Sequence, residues 1–242
     1  KETLKNYDVK WAQGLDDIPA RQGPVFAIGN EFLDALPFRQ FKRDGDGWRE
    51  VLIALDQDGA LCLGLSQPVI KPVETALSKR WPQAKDGQIV ELPATRDAFI
   101  TALSKLILQT GGTALFMDYG FYNEENGNTF QALKDHKPVN PWECPGDADL
   151  TSHVDFKAVE DAARAAGLDA YGPVEQGTFL NAMGASERTE ALCRNADTNT
   201  QENLRSGLER LIDPEKMGKL FKTISLCHPD DPRPEGFPQN DK

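Results

Sequence analysis

The chain has 242 residues, 39% hydrophobic and 27% charged, and 38 acidic against 27 basic side chains give it a net charge of −11. This negative balance argues against nucleic acid as the main partner, since phosphate binding requires a basic surface, while it permits a basic protein partner or simply aids solubility. No stretch of 18 apolar residues occurs, so the sequence predicts no membrane-spanning helix.

The beginning of the chain is typical of the middle of an α/β domain. The end of a helix at 2–6 leads into a short strand at 8–11 and then a loop. The chain opens on Lys1, without Met and without an apolar signal segment. We therefore expect further sequence upstream of Lys1.

Two apolar runs indicate a parallel sheet. Residues 24–30, PVFAIGN, are apolar on both faces, which favours a central strand over an edge strand. Residues 111–120, GGTALFMDYG, form a second run, and the segment 95–110 before it has helical spacing and ends at two glycines. A helix followed by a buried strand is half of a βαβ unit. We expect the two runs to be parallel neighbours.

The segment between these runs has a different pattern. Short β-type runs at 39–66 are broken by Asp44-Gly45 and Asp58-Gly59, which are signals for hairpin turns. They predict an antiparallel meander, and a short helix follows at 71–82. We interpret about 39–92 as an insertion into the sheet.

The chain after the second run is irregular and then becomes regular again. We predict a strand at 129–134 and a helix at 156–166 with Asp155 near its N-cap. The proline-containing stretch of about 120–155 is a candidate active-site loop, because long ordered loops beside a parallel sheet often carry function. The remaining predicted elements are a strand at 168–177, a helix at 199–212 and a final strand at 219–229.

Polar residues follow both predicted parallel strands, at Asn30-Glu31 and at Asp118-Tyr119. Ligands of open α/β sheets bind at the carboxyl ends of the strands. In a parallel sheet both clusters would face one crevice, where an amide and carboxylates can hold a cationic or amino-acid-like group. In the structural alternative, Asp34 caps a helix, Glu31 faces solvent and Asp118 binds a backbone turn.

A second polar cluster, GDADLTSHVDF, places Asp147, Asp149, His153 and Asp155 within nine positions. Its spacing does not match an EF-hand loop, and we predict no metal site. One interpretation has Asp155 capping a helix and His153 bound to backbone. The other places His153 and a carboxylate over the crevice as binding or proton-transfer groups. No serine-hydrolase elbow, zinc-protease helix or P-loop is present.

Five segments of the chain, in order, carry a resemblance to one family. The first is GNEFLDALPFRQF, which is similar to the family signature N-E-F-F-D-A-L-P. The others are GWREV, ALFMDYG, GNTFQALKDHKPVNPWECPGDADLTSHVDF and QGTFLNAMGASER. Together they resemble the MidA family of S-adenosylmethionine-dependent protein arginine methyltransferases, which are linked to the assembly of respiratory complex I.

The resemblance implies an α/β fold over residues 1–242, with a Rossmann-like class I methyltransferase sheet whose N-terminal part is missing, an inserted antiparallel β-meander and additional helices. It implies methyl transfer from S-adenosylmethionine to an arginine of a protein substrate, a subunit of complex I. The glycine-rich loop and ribose-binding acid of the family precede the segment that matches Lys1. We therefore expect this chain alone to bind S-adenosylmethionine poorly. The alternative function is a non-catalytic assembly factor or binding module.

The resemblance also implies roles for residues at the crevice. Carboxylates orient a protonated guanidinium through paired hydrogen bonds, and residues of the loop would close the crevice over it. The candidate catalytic residues are Glu31, Asp34, His153 and Asp155.

The cofactor would lie along the strand ends that border this crevice. Asn30 would contact the amino-acid end of S-adenosylmethionine. Leu15 and Asp16 follow the presumed third strand, where they would border the adenine; an ordinary surface loop is the alternative.

Four widely spaced cysteines indicate neither a zinc site nor a disulfide framework, and a reducing, intracellular compartment is the simplest interpretation. We expect the bacterial cytoplasm or the mitochondrial matrix, with the cytoplasm preferred.

Overall fold

The computed structural model describes residues 2–18, 23–123, 127–135, 137–143 and 145–238. In chain order the strands are β1 (Val25–Asn30), β2 (Arg39–Asp44), β3 (Gly47–Leu55), β4 (Leu61–Pro68), β5 (Ile89–Leu92), β6 (Gly112–Phe121), β7 (Gln131–Lys134), β8 (Lys137–Val139), β9 (Asp149–Thr151), β10 (Val154–Asp155), β11 (Asp169–Glu175) and β12 (Phe221–Cys227). The α-helices are α1 (Lys71–Arg80), α2 (Ala94–Thr110), α3 (Phe156–Ala166), α4 (Gln176–Ala182), α5 (Ala185–Cys193) and α6 (Thr198–Ile212). Short helical turns lie at Glu2–Leu4, Leu15–Asp17 and Pro214–Gly218.

The main sheet is mixed and has the strand order β1-β6-β12-β11. β1 and β6 run parallel, with Ala27 opposite Ala114, whereas β12 runs antiparallel to both β6 and β11. Helices α2 and α3 contact this sheet, and the core residues Ile100, Phe116 and Ile224 are almost fully buried. The predicted parallel pairing of the two apolar runs is confirmed.

The carboxyl end of β6 continues past the end of β1 and pairs there with β10. Asn30 is opposite Met117, and Val154 is opposite Gly120, further along β6. A Cβ atom on Gly120 would lie 2.1 Å from the carbonyl oxygen of Val154, so any side chain there would push β10 away. This close pairing brings the chain around His153 to the edge at which β1 ends.

The segment between β1 and β6 forms an antiparallel sheet with the strand order β4-β3-β2-β5. The turns between β2 and β3 and between β3 and β4 lie at the two Asp-Gly pairs, as predicted. This sheet and α1 enclose a small core, formed by Phe41, Trp48, Leu77 and Val90. A third sheet, with the strand order β8-β7-β9, is formed by the part of the chain that follows β6 and precedes α3.

Two predictions about the first strands are wrong. Residues 8–11 form no strand, because none of the described strands offers them a ladder partner. β1 is at one end of the sheet order instead of its centre. Its faces are apolar, but no described strand lies beyond it, and Phe26 and Ile28 are 72% and 76% exposed. The predicted helix end at 2–6 appears only as the turn Glu2–Leu4.

The later helices agree closely with the sequence. The predicted helix at 156–166 is α3, and the side chain of its N-cap Asp155 accepts a hydrogen bond from the backbone N–H of Ala158. The predicted helix at 199–212 is α6, which begins one residue earlier. In the part of the chain that the structure describes, every helix is too short or too polar to cross a membrane.

Candidate active site

A tight turn follows β1 and carries the first candidate residues. Glu31 has a φ of 49°, in the left-handed region that is unfavourable for a residue with a side chain. The carboxylate of Asp118 on β6 stabilises this turn. Its Oδ2 accepts hydrogen bonds from the backbone N–H groups of Phe32, Leu33 and Asp34 at 3.1, 2.9 and 3.2 Å. The interpretation in which Asp118 binds a backbone turn is confirmed.

Arg96 of α2 holds the carbonyl side of the same turn. The residue is 2% exposed, and its guanidinium donates hydrogen bonds to the carbonyl oxygens of Leu33, at 2.6 Å, and His153, at 3.0 Å. It also donates to the hydroxyl of Ser152. Burial lowers the pKa of Arg96, but nearby carboxylates raise it, and a guanidinium stays charged in proteins. One buried cation therefore fixes the turn after β1 against the segment before β10.

The carboxyl group of Asp118 is itself fully buried. Burial and the neighbouring Asp34 raise its pKa to about 7, although the hydrogen bonds that it accepts from backbone N–H groups act to lower the pKa. The turn is therefore held by a group that titrates close to neutral pH. Burial also raises the pKa of the adjacent Tyr119, so its hydroxyl remains protonated and can donate.

Asp34 has one buried oxygen without a partner. The residue is 5% exposed, and its Oδ2 accepts a hydrogen bond from the Tyr119 hydroxyl at 2.8 Å. Its Oδ1 is buried and makes no hydrogen bond with any described residue. An unpaired buried carboxylate oxygen is costly, and in native structures such groups require an explanation. A ligand that donates an N–H group to this oxygen would remove the cost.

A cavity of about 740 Å³ lies at the carboxyl end of β6, and Asp34 is one of its lining residues. We call it the acidic cavity, after the lining residues Glu31, Asp34, Tyr119, Asp149 and His153. The described residues that line it include no Lys or Arg. The ring of His153 is edge-on to that of Tyr119, with centroids 5.5 Å apart. This lining suits a ligand with a positive charge and several N–H donors.

Asp155 has a different environment. Its Oδ1 accepts the hydrogen bond of the Ala158 N–H at 3.0 Å, and its Oδ2 accepts one from Arg80 at 3.0 Å. It lines a separate cavity of about 810 Å³, together with Arg80 and Lys157. The other three candidate catalytic residues share the acidic cavity, but Asp155 is not among its lining residues.

The candidate cofactor residues lie near the carboxyl end of β1 and in the turn before it. Asn30 is exposed, and its side-chain amide donates to Glu31 Oε1 at 3.4 Å. Leu15 packs against the main core, and Asp16 beside it is exposed. The three side chains are an amide, a carboxylate and a branched apolar group, the types that the expected roles require. None of these three residues lines the acidic cavity.

Sequence reasoning missed Arg96. It precedes Ile100 and Leu103 by four and seven positions, so it lies on the apolar face of α2. A charged residue on such a face is rarely buried unless it is paired. The position of Arg96 on the apolar face was therefore the signal that it is buried and paired. Its partners lie more than fifty positions away along the chain and could not be identified from local pattern.

Comparisons with a family model and with curated proteins indicate the same family of methyltransferases. Residues 1–174 match the model of the family described as "Putative S-adenosyl-L-methionine-dependent methyltransferase". A Drosophila melanogaster protein, named protein arginine methyltransferase NDUFAF7 homolog, mitochondrial, is 36% identical over 219 residues, which are 89% of this chain and 49% of that protein. The chain spans about half the length of the curated relatives that it matches.

Two solved structures, both of Burkholderia thailandensis proteins of one superfamily, have a similar fold. An uncharacterized protein is 27% identical with a TM-score of 0.84, and the match covers 100% of this chain and 66% of that one. A second structure, with bound S-adenosyl-homocysteine, is 25% identical with a TM-score of 0.81, and the match covers 96% of this chain and 60% of that one. The expected methyltransferase type of α/β fold is confirmed.

Proposed function

The chain belongs to this family of S-adenosyl-L-methionine-dependent methyltransferases, and on that premise we propose that the full-length protein methylates arginine side chains of a protein substrate. Relatives named protein arginine methyltransferases support arginine as the acceptor. The resemblance of five segments to the MidA family supports a complex I subunit as the target. The proposal concerns the full-length protein, because the chain spans about half of its relatives.

The unpaired Oδ1 of Asp34 carries the proposal. It is a buried acceptor of a residue that lines a cavity whose charged lining residues are carboxylates. A guanidinium has five N–H donors and a permanent positive charge, so it can satisfy this oxygen once the side chain of Asp34 turns toward the cavity, and it can also reach Glu31. An acidic cavity alone would suit any cation; the acceptor whose other oxygen is fixed by Tyr119 favours a planar donor of defined orientation.

Each of the four candidate catalytic residues has a role in this proposal. Asp34 and Glu31 orient the guanidinium, and such positioning supplies much of the rate of a displacement reaction. His153 is the candidate acceptor for the proton that the guanidinium loses. Asp155, through its cap on α3 and its bond to Arg80, positions the segment that carries His153.

Bound S-adenosylmethionine would supply an activated methyl group on a sulfonium. Asn30 would bind the amino-acid end of the cofactor, and Leu15 and Asp16 would border its base. The structure with S-adenosyl-homocysteine supports this class of cofactor. The relatives are mitochondrial by name, which supports the mitochondrial matrix; the expected preference for the cytoplasm gains no support from them.

Asp34→Asn in the full-length protein tests the proposal. The amide keeps the shape of the side chain but replaces one carboxylate oxygen by a donor and removes the charge. We expect a loss of about 2–5 kcal/mol of substrate interaction, and therefore a fall in kcat/KM of roughly thirtyfold to a few thousandfold. Transfer of radiolabelled methyl groups from S-adenosylmethionine to an arginine-containing protein or peptide measures this. Glu31→Gln should act in the same direction.

Asp147→Asn is a matched control. Asp147 lies just before β9, and its side chain is 72% exposed. It does not line the acidic cavity. Its activity should equal that of the wild type. Full activity of Asp34→Asn would remove Asp34 from the mechanism, and lost activity with an equal loss of stability would leave a purely structural role. Tight binding of the protein target without methylation would favour a non-catalytic assembly factor.

Cofactor binding by this chain alone is a second test. The glycine-rich loop and the ribose-binding acid of the family would supply about two to four polar contacts with the cofactor. At about 1–3 kcal/mol each for hydrogen bonds that involve charge, their absence from this chain would abolish micromolar affinity. We expect calorimetric titration to give no measurable binding of S-adenosylmethionine to residues 1–242 and clear binding to the full-length protein. Low-micromolar binding by the chain alone would contradict this expectation.

A further inference from the structure

An apolar groove adjoins the acidic cavity. It has a volume of about 340 Å³, within the usual size range of small ligand pockets, and lies between the β3–β4 hairpin and the chain that follows Asp34. We call it the hairpin groove, after the lining residues Phe38, Val51, Ile53, Leu63, Phe130 and Leu150. The rings of Phe38 and Phe130, both in the lining, form a T-shaped pair with centroids 5.6 Å apart.

The register of the hairpin aligns its aliphatic side chains on one face. Directly opposite residues of an antiparallel pair lie on the same face, as do residues two apart along a strand. The opposite pairs on this face are Val51–Leu65, Ile53–Leu63 and Leu55–Leu61. Ile53 is 53% exposed and Leu63 is 43% exposed. A contiguous apolar face of this kind marks an interaction surface more often than a scattered exposed leucine does.

The hairpin groove and the acidic cavity are neighbours and share three lining residues. Asp34, Ala35 and Leu150 line both. Asp34 therefore stands at the junction between a carboxylate-rich space and an apolar space. A single extended peptide, which advances about 3.3 Å per residue, can place a charged side chain in one and a neighbouring apolar side chain in the other.

Charge decides between the possible occupants. A second copy of this chain has a net charge of −11 and would approach the carboxylates at the junction unfavourably. A segment with a positive side chain among apolar neighbours matches both spaces. We propose, on the basis of the proposed function, that the hairpin groove binds aliphatic side chains located within about three positions of the target arginine in the substrate protein.

Two matched peptides test this with the full-length protein. Both contain one arginine; the first has Leu, Ile or Val within three positions on either side, and the second has Ser and Thr in their place. Burial of one or two aliphatic side chains should give the apolar peptide a kcat/KM roughly ten- to fiftyfold higher, mainly through a lower KM. Ile53→Ser should reduce the kcat/KM for the apolar peptide about tenfold and largely abolish the preference between the peptides.

Leu55→Ser is the matched control on the same face of the hairpin. Leu55 is 66% exposed but does not line the hairpin groove, so this variant should keep the activity and the peptide preference of the wild type. Melting temperatures of both variants show whether a change in activity reflects folding. Equal kcat/KM of the wild type for the two peptides would overturn the inference.

Peptide binding measured by fluorescence anisotropy separates this inference from the proposed function. If neither peptide is methylated, but the apolar peptide binds more tightly and Ile53→Ser removes the difference, the hairpin groove stands and the proposed activity falls. If both peptides bind equally, the inference falls whatever the activity. Sedimentation supplies the last outcome: a dimer that both Ile53→Ser and Leu55→Ser dissociate would assign the face to a second copy and overturn the inference.

Discussion

Asp34 and Asp155 were both candidate catalytic carboxylates, and the structure gives them opposite environments. Both oxygens of Asp155 are bound by the chain itself, one by the N–H of Ala158 and one by Arg80. Asp34 is more deeply buried, yet only one of its oxygens has a partner, the Tyr119 hydroxyl. The carboxylate of Asp155 caps a helix, whereas the carboxylate of Asp34 keeps one oxygen that a ligand could use as an acceptor.

The comparison shows where the fold concentrates its stabilising contacts. The backbone around Asp34 is held from both sides, by Asp118 at the N–H groups and by Arg96 at the carbonyl oxygens. Asp155 lies at the surface end of a helix and its ion pair with Arg80 is partly exposed. A rigid, buried backbone that carries an unpaired side-chain atom is the pattern expected of a preorganised site.

The largest expected effect is on stability, for Arg96→Met. This variant leaves the carbonyl oxygens of Leu33 and His153 without their donor and removes the cation among buried carboxylates. We expect the free energy of unfolding to fall by about 3–5 kcal/mol, measured by urea denaturation. Arg80→Met is the control. Its partly exposed pair with Asp155 should be worth about 0–1 kcal/mol. Equal losses for the two variants would contradict the comparison.

Asp118 should make stability depend on pH. Its pKa rises from its usual value of 3.8 to about 7 in the folded protein, so the folded state retains a proton that the unfolded state has released. The resulting stabilisation is present below about pH 4 and is lost as the pH rises to about 7. Since one pKa unit corresponds to about 1.4 kcal/mol, this contribution is at most about 4 kcal/mol.

Asp118→Asn isolates this contribution. The amide stays neutral at every pH, so the decline in the free energy of unfolding between about pH 4 and pH 7 should become shallower. The charged or titratable neighbours Asp34, Tyr119 and Arg96 remain in place and serve as the common background. Denaturation curves across this range measure the slope. A slope identical to that of the wild type would show that Asp118 does not titrate there.

The smallest effect concerns Asp155. Asp155→Ala removes the cap of α3, which is worth about 1 kcal/mol, and should lower the Tm by about 2–4 °C. Asp155→Asn, which can still cap, should recover most of that loss. Methylation should fall far less for either variant than for Asp34→Asn. An activity loss as large as that of Asp34→Asn would give Asp155 a direct role in the reaction.

Local signals in the sequence predicted the features that depend on neighbouring residues. The Asp-Gly pairs gave the hairpin turns, and Asp155 followed by an amphipathic pattern gave the N-terminus of α3. The two apolar runs gave the parallel pair β1 and β6. In each case the residues that decide the structure lie within a few positions of one another, or share a pattern that a sheet requires.

Contacts between distant segments were not predictable in the same way. Arg96 binds Leu33, which is 63 positions away, and no local pattern identifies that partner. The position of β1 at the end of the sheet depends on which strands lie beside it, not on its own apolar residues. Asp34 and Asp155 have similar sequence contexts, each beside aromatic and apolar residues. Only the tertiary arrangement shows that one is fully bonded and the other is not.

The shared acceptor in the turn after β1 has a consequence for amide hydrogen exchange. The N–H groups of Phe32, Leu33 and Asp34 all donate to Asp118 Oδ2, so a movement of that one carboxylate would open all three hydrogen bonds together. Phe32 is 40% exposed, and its amide would otherwise exchange as quickly as that of a surface loop. The three amides should therefore be protected as one unit, and their common exchange rate reports how often the turn after β1 opens.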